Sequence, residues 1–321
     1  MKDIYEKSKN SFYGFLVGDA LGVPVEFTNR ESLEKDPVVD MQGYGSHNVP
    51  DGTWSDDSSM VLAEMDSIGE KNDIDYDDIM LRFIDWFSKA YYTSTGVVFD
   101  IGVTTRKALF NYRDGFKATE CGGKSLYDNG NGALMRMLPF VIYSYQKELS
   151  EEDEVLLIKN TSQLTHGHEI NQVGCKIYFD FMKRIFDGDK LEDIYNDIKN
   201  KDYTKFYSRE SVDCYKRILN NDIKNLNIND IKSSGFVVST LEACIWCLLN
   251  STDYQSAVLE AVNLGDDTDT VAAITGSLAG AYYNDVPQKW VDKIRNKELA
   301  DNIFSKYYVC FNDDYNNAKR L

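Results

Sequence analysis

Asn263-Leu264-Gly265-Asp266-Asp267-Thr268-Asp269-Thr270 separates two apolar helical runs. Ala257, Val258, Leu259, Ala261 and Val262 precede it, and Val271 to Tyr283 follow. Gly265 stands where a helix C-terminal glycine belongs, and the Asp/Thr cluster where the next helix is capped. Three aspartates and two threonines exceed the needs of one cap. Carboxylates this close repel, and each makes the next harder to ionise. Water or a cation must therefore hold them, and the apolar flanks favour a divalent cation. Alone, the cluster reads as a generously capped surface turn.

A second acidic helix start lies far upstream, Gly52-Thr53-Trp54-Ser55-Asp56-Asp57-Ser58-Ser59-Met60, ahead of Val61, Leu62, Met65 and Ile68. Two such starts facing each other across a cleft offer carboxylates and hydroxyls only. Oxygen-only ligands select Mg²⁺, Mn²⁺ or Ca²⁺ over zinc or copper. Several converging carboxylates suit two ions, which together can orient and activate a water.

Apolar residues elsewhere recur at three- and four-residue spacing, and long alternation of period two is rare. No nucleotide-binding glycine motif follows a strand. The expected architecture is all-α, a single compact orthogonal multi-helix domain over residues 1–321 with a dinuclear metal cleft, its tail after about 312 mobile. Gly14, Gly18 and Gly22 form a stripe on a first helix expected over about Asn10 to Val23. Ala272, Gly276 and Gly280 form another. Both read as close helix contacts. Asp19 is expected to be structural. Glu26, in an otherwise apolar stretch, is costly to bury without a metal or a tight partner.

The chain carries 52 Asp and Glu against 35 Lys and Arg, a formal charge of −17, which opposes a nucleic-acid surface. No apolar run reaches membrane-spanning length. The N-terminus lacks a signal-peptide layout, so a cytoplasmic protein is expected. The six cysteines are scattered. Cys244 and Cys247, in the apolar run Phe236 to Leu249, read as core residues of a central helix.

Glu31 to Pro50 reads as an irregular loop forming a lid or wall, with His47 a solvated loop histidine. Asp100 is either a helix N-cap or an acid aimed at substrate, and spacing favours the cap. Asn129-Gly130-Asn131-Gly132 and the earlier Gly122-Gly123 offer backbone N–H groups suited to phosphate, with Arg136 a nearby cation. In Thr165-His166-Gly167-His168, one histidine is expected to line a pocket and the other to hold the turn. Asp187 to Lys232 reads as peripheral.

Taken together, Gly18-Asp19-Ala20-Leu21-Gly22 with Glu26, Gly52 to Asp57, Asp100-Ile101-Gly102, Gly130 to Arg136, Thr165-His166, Thr240-Leu241-Glu242-Ala243 and Gly265 to Thr270 resemble the ADP-ribosylglycohydrolase family. The motifs run in family order over most of the chain. The resemblance implies a metal-dependent hydrolase that cleaves the N- or O-glycosidic bond between ADP-ribose and an acceptor. It implies two Mg²⁺ or Mn²⁺ ions on Glu26, Ser55, Asp56, Asp57, Asp267, Asp269 and Thr270. Ser55 stands where threonine is frequent and keeps the hydroxyl. By the same resemblance Gly123, Asn129, Gly130, Asn131, Gly132 and His166 line the ADP-ribose pocket, and Glu26, Asp57 or Asp100 act as acid or base. The implied partner is an ADP-ribosylated protein or small ADP-ribosyl acceptor, met by a monomer without nucleic acid or membrane. The alternative is a catalytically silent, ADP-ribose-binding or immunity protein of the same fold.

Overall fold

A glycine at every fourth position leaves one helix face without side chains, so another backbone can lie directly on it. The structure, a computed structural model, describes residues 2–311. The helix Lys2–Gly22 packs along Thr268–Tyr283 in this way. A Cβ on Gly14 would stand 2.2 Å from the carbonyl oxygen of Gly276, and one on Gly18 would stand 2.1 Å from that of Ala272. A Cβ on Gly22 would meet the backbone of Asp269 at 2.4 Å. The two stripes expected from the sequence are thus the two sides of one contact. The first helix begins earlier than its apolar pattern, at Lys2.

The described residues contain sixteen α-helices and eight short 3₁₀ segments, with three isolated bridges in place of strands. Val237–Asn250 is buried from Val237 to Leu249, because Glu169–Asp187, Tyr254–Asn263 and Thr268–Tyr283 all pack on it. Cys244 and Cys247 are free and buried within it. Asp56–Lys71 lies between the N-terminal helix, Tyr76–Lys89 and the C-terminal helix Lys297–Val309. One continuous apolar core joins Phe12, Met60, Phe140, Phe179, Leu241, Val271 and Phe304.

Local chemistry ends the helices where expected. Gly265, at φ +79°, follows the last residue of Tyr254–Asn263 and its cap Leu264. His168 caps Glu169–Asp187, its Nδ1 accepting from the Ile170 amide at 3.3 Å. Glu31 to Pro50 is more ordered than a bare loop. It holds the helix Arg30–Lys35 and a 3₁₀ turn at Gly45–His47, and Asn263 anchors it through both backbone groups of Val38. The tail after 312 lies outside the described residues. No helix among the described residues is long and apolar enough to cross a membrane.

The backbone contact sets a first prediction. Gly18→Ala must push the two helices apart, since the obstructing atom is a carbonyl oxygen that no rotamer change can move. Urea unfolding should show a loss of about 1–3 kcal/mol, the usual penalty of overpacking.

Candidate active site

Asp19, on the first helix, holds the Asp56–Lys71 helix start from outside. Its Oδ1 accepts from the Ser55 amide at 2.9 Å, and its Oδ2 accepts from the Ser58 amide at 3.0 Å and the Ser58 hydroxyl at 2.5 Å. Ser55 is the N-cap, its Oγ receiving the Asp57 amide at 3.3 Å. Capping is thereby met without Asp56, leaving its side chain to line a cleft.

The other acidic start is tied to the same helix. Thr268 Oγ1 donates to the Gly22 carbonyl at 2.8 Å. The Phe27 amide donates to Asp266 O at 2.7 Å, and the Asp266 amide donates back to Thr28 O at 2.9 Å. This clasp brings Glu26 beside Asp267. Asp267 occupies the N-cap position of Thr268–Tyr283 but makes no capping bond; its Oδ2 instead accepts from Asn131 Nδ2 at 2.7 Å. Thr270 Oγ1 donates to Asp57 Oδ2 at 3.2 Å, joining the two acidic clusters directly.

Burial of these acids is expensive without a positive partner. Burial pushes the carboxyls of Asp56, Asp57 and Asp269 well above the usual range, and their acidic neighbours push them further. Glu26 is raised to about 7, by burial above all, against the opposing bond from His47. Burial also raises Asp267, with Asn131 and Thr270 holding it back, and it raises Asp100. Asp57 Oδ1 and both oxygens of Asp269 are buried without a hydrogen-bond partner. Glu26, Asp267 and Asp269 each bring one oxygen within 4.8 Å of the others. A divalent cation satisfies these orphaned acceptors and relieves the repulsion, and the all-oxygen donor set suits a hard ion. The residues present therefore fit a metal.

The cleft above the acids has a volume of about 560 Å³. Glu26, Asp56, Asp57, Asp100, Asp267 and Thr270 line it together with Gly130, Asn131, Gly132 and His166. Ser55 and Asp269 lie buried against these residues rather than on its surface. The His166 ring backs the glycine segment, since a Cβ on Gly132 would stand 2.6 Å from its Cε1. Its Nδ1 pairs with Thr165 Oγ1 at 2.9 Å, and burial, aided by Arg136, lowers it to about 3, so it is neutral.

Two glycine-region residues stand back from the cleft. Gly123 accepts from the Gly167 amide at 2.7 Å and donates to Thr165 O at 3.3 Å, fixing the His166 segment. Asn129 Oδ1 accepts from Asn171 at 3.0 Å, and its carbonyl receives the Val237 amide at 3.0 Å.

Three readings change. Arg136 is fully buried and offers nothing to a phosphate: it donates to Glu64 at 2.6 Å, to Thr161 O and Thr165 Oγ1 at 2.8 Å, and to Gly132 O at 3.1 Å. It braces the glycine segment from behind. Asp100 is not a cap, since Gly102 holds that position, and it faces the cleft at φ +52°. His47 is not a solvated loop side chain, because its Nε2 lies 2.5 Å from Glu26 Oε2. No local pattern marks it, since its partner Glu26 lies 21 residues away in another segment. Met135 of the glycine-rich motif lines the cleft too, as do Phe27, Thr105 and Gly235, which no motif marks as site residues. A larger cavity of about 710 Å³ surrounds Arg82 and Tyr92. There the guanidinium already pairs with Asp66, Asp78 and Glu70, and no orphaned carboxylate faces it. The unmatched acids line the smaller cleft, which is the candidate site.

The family described as ADP-ribosylglycohydrolase matches residues 1–313. An ADP-ribosylarginine hydrolase Tri1 from Serratia proteamaculans is 31% identical, over 97% of this chain and 81% of its own length. One from Pseudomonas putida is 30% identical, over 94% and 78%. A solved structure titled ADP-ribosylglycohydrolase-related protein complex superposes with a TM-score of 0.80 at 25% identity, covering 97% of this chain and all of that one.

The neutral His166 sets a pH prediction. Below its ordinary value of about 6.5 the unfolded chain takes up a proton that the folded chain refuses until about 3. Stability from this group is complete above about 6.5 and is lost on acidification, by up to about 1.4 kcal/mol per pH unit. The unfolding free energy of the protein minus that of His166→Gln should be constant above pH 7 and should fall as pH drops from 6.5 toward 4.

Proposed function

The chain belongs to the ADP-ribosylglycohydrolase family, and from that premise we propose that it removes ADP-ribose from arginine side chains of proteins by hydrolysing the bond at the anomeric carbon. One observation carries the reading: two acidic helix starts meet with buried, orphaned carboxylate oxygens beneath a cleft whose lining also includes a glycine-rich backbone segment and a neutral histidine. The arginine linkage rests on the two bacterial relatives named for it.

Two Mg²⁺ or Mn²⁺ ions would be held by Glu26, Ser55, Asp56, Asp57, Asp267, Asp269 and Thr270. When bound, they supply positive charge that polarises a water and the ribose hydroxyls. The remaining work falls to the chain. Backbone N–H groups of Gly130 and Gly132 receive the diphosphate, the Asn131 amide being committed to Gly235 O at 2.9 Å, with Arg136 stiffening the segment from inside. His166, being neutral, adds a polar contact without charge. The water oxygen bonds to the anomeric carbon as the carbon–nitrogen bond breaks. One of Glu26, Asp57 and Asp100 takes the water's proton, and another gives a proton to the departing guanidine nitrogen. Neighbouring carboxylates stabilise the oxocarbenium-like centre. The net charge of −17 repels an anionic ligand at long range, so the attraction has to be local.

The test is release of free ADP-ribose from arginine- and serine-ADP-ribosylated proteins, with Mg²⁺, with Mn²⁺ and with chelator. Release from the arginine substrate is expected to need metal, and Asp269→Asn should lower it by more than about a hundredfold. Equal release with chelator would remove the metal assignment. Faster release from the serine substrate would move the linkage.

A further inference from the structure

The segment ahead of the Ser55-Asp56-Asp57 start has a geometry that capping does not explain. Tyr44, at φ +69°, and Asn48, at φ +52°, flank Gly45 in a left-handed turn. The turn is closed by the Tyr44 amide on Val49 O at 2.5 Å. A Cβ on Gly45 would stand 1.8 Å from Pro24 O, so the turn is seated on the backbone just before Glu26. The Ser46 hydroxyl donates to the Glu26 carbonyl at 2.5 Å. Strained backbone of this kind persists where the surroundings enforce it, and such strain collects at working sites. Here it delivers one side chain, His47, whose Nε2 lies 2.5 Å from Glu26 Oε2. The ring is set by Phe99 and Phe27, with centroids at 4.9 and 5.9 Å.

We propose that His47 is a positioning residue for the hydrolase reaction: its Nε2 donates to Glu26 Oε2, fixing the carboxylate so that Oε1 is presented to the metal and proton-transfer chemistry beside Asp267 and Asp269. The inference rests on the reading of Glu26 given above. A carboxylate has two oxygens, and occupying one with a donor fixes the direction of the other. Groups that orient a metal-site ligand in this way typically change metal affinity or activity by ten- to a hundredfold when removed. Without His47, Glu26 keeps its buried place and loses the bond that holds its rotamer.

Three substitutions separate this role from simple packing. His47→Gln keeps a side-chain N–H donor and loses the ring. His47→Phe keeps the ring against Phe99 and loses the donor. His47→Ala loses both. Mn²⁺ affinity is measured by calorimetry in the absence of substrate, kcat and KM on an arginine-ADP-ribosylated protein, and folding by the melting temperature. Gln is expected to stay within about threefold of the original protein. Phe and Ala should each lose about ten- to a hundredfold in Mn²⁺ affinity and in kcat. KM should move little, because the glycine segment is untouched. Phe close to the original with Gln impaired would assign His47 to packing and overturn the proposal, as would three variants alike in Mn²⁺ affinity. If the unaltered protein releases no ADP-ribose while the calorimetric order holds, the positioning role stands and the substrate reading falls.

Discussion

Everything in the site hangs on two backbones touching. The Lys2–Gly22 and Thr268–Tyr283 helices meet without side chains between them, and the last of those contacts sets Gly22 against Asp269. From that point the chain has little freedom. The Thr268 hydroxyl reaches the Gly22 carbonyl, the Phe27–Asp266 clasp follows within a few residues, and Glu26 arrives beside Asp267. A wider helix spacing would place the same residues beyond the range at which they act on one another. Asp19, from the same helix, then places the second acidic start.

The protein handles its buried acids in two distinct ways. Where an acid serves the fold, it is matched. Glu154 receives Lys176, Lys183 and Ser144, Glu64 receives Arg136 on one of its two oxygens, and Asp19 receives three donors. In the cleft the match is withheld, and Asp269 is fully buried with both oxygens unpartnered. An unmatched buried carboxylate costs stability. That cost leaves a place where arriving positive charge is held strongly, because the groups that bind it have already lost their water. Neutral donors temper this field at Asp267 and Asp57, through Asn131 and Thr270, and His47 does so at Glu26.

Much of this was legible in the sequence for physical reasons. Helical spacing declares an all-α chain, and glycine stripes declare backbone contact. Both acidic helix starts exceed what caps require, and the structure spends other groups on capping: Asp19 and the Ser55 hydroxyl at one start, while Asp267 bonds Asn131 at the other. Three details could not be read along the chain. Arg136 follows a glycine segment, which suggests phosphate, yet its partner Glu64 is 72 residues away and invisible to local pattern. Asp100 sits two residues short of the true cap, a distance that spacing does not resolve. His47 acquires its partner through a left-handed turn, and only the folded backbone shows where such a turn points.

The union of the first helix with Thr268–Tyr283 also has a consequence in time. The Thr268–Gly22 bond spans 246 residues. Chains are made from the N-terminus at about 5–20 residues per second, so the glycine face waits roughly 10–50 s for its partner. Throughout that wait no part of the nascent chain can assemble the acidic cleft. Synthesis stopped before Asp267 leaves Glu26, Asp56 and Asp57 without their counterparts. The cleft therefore forms late in translation, and any shorter fragment lacks one of its two acidic walls.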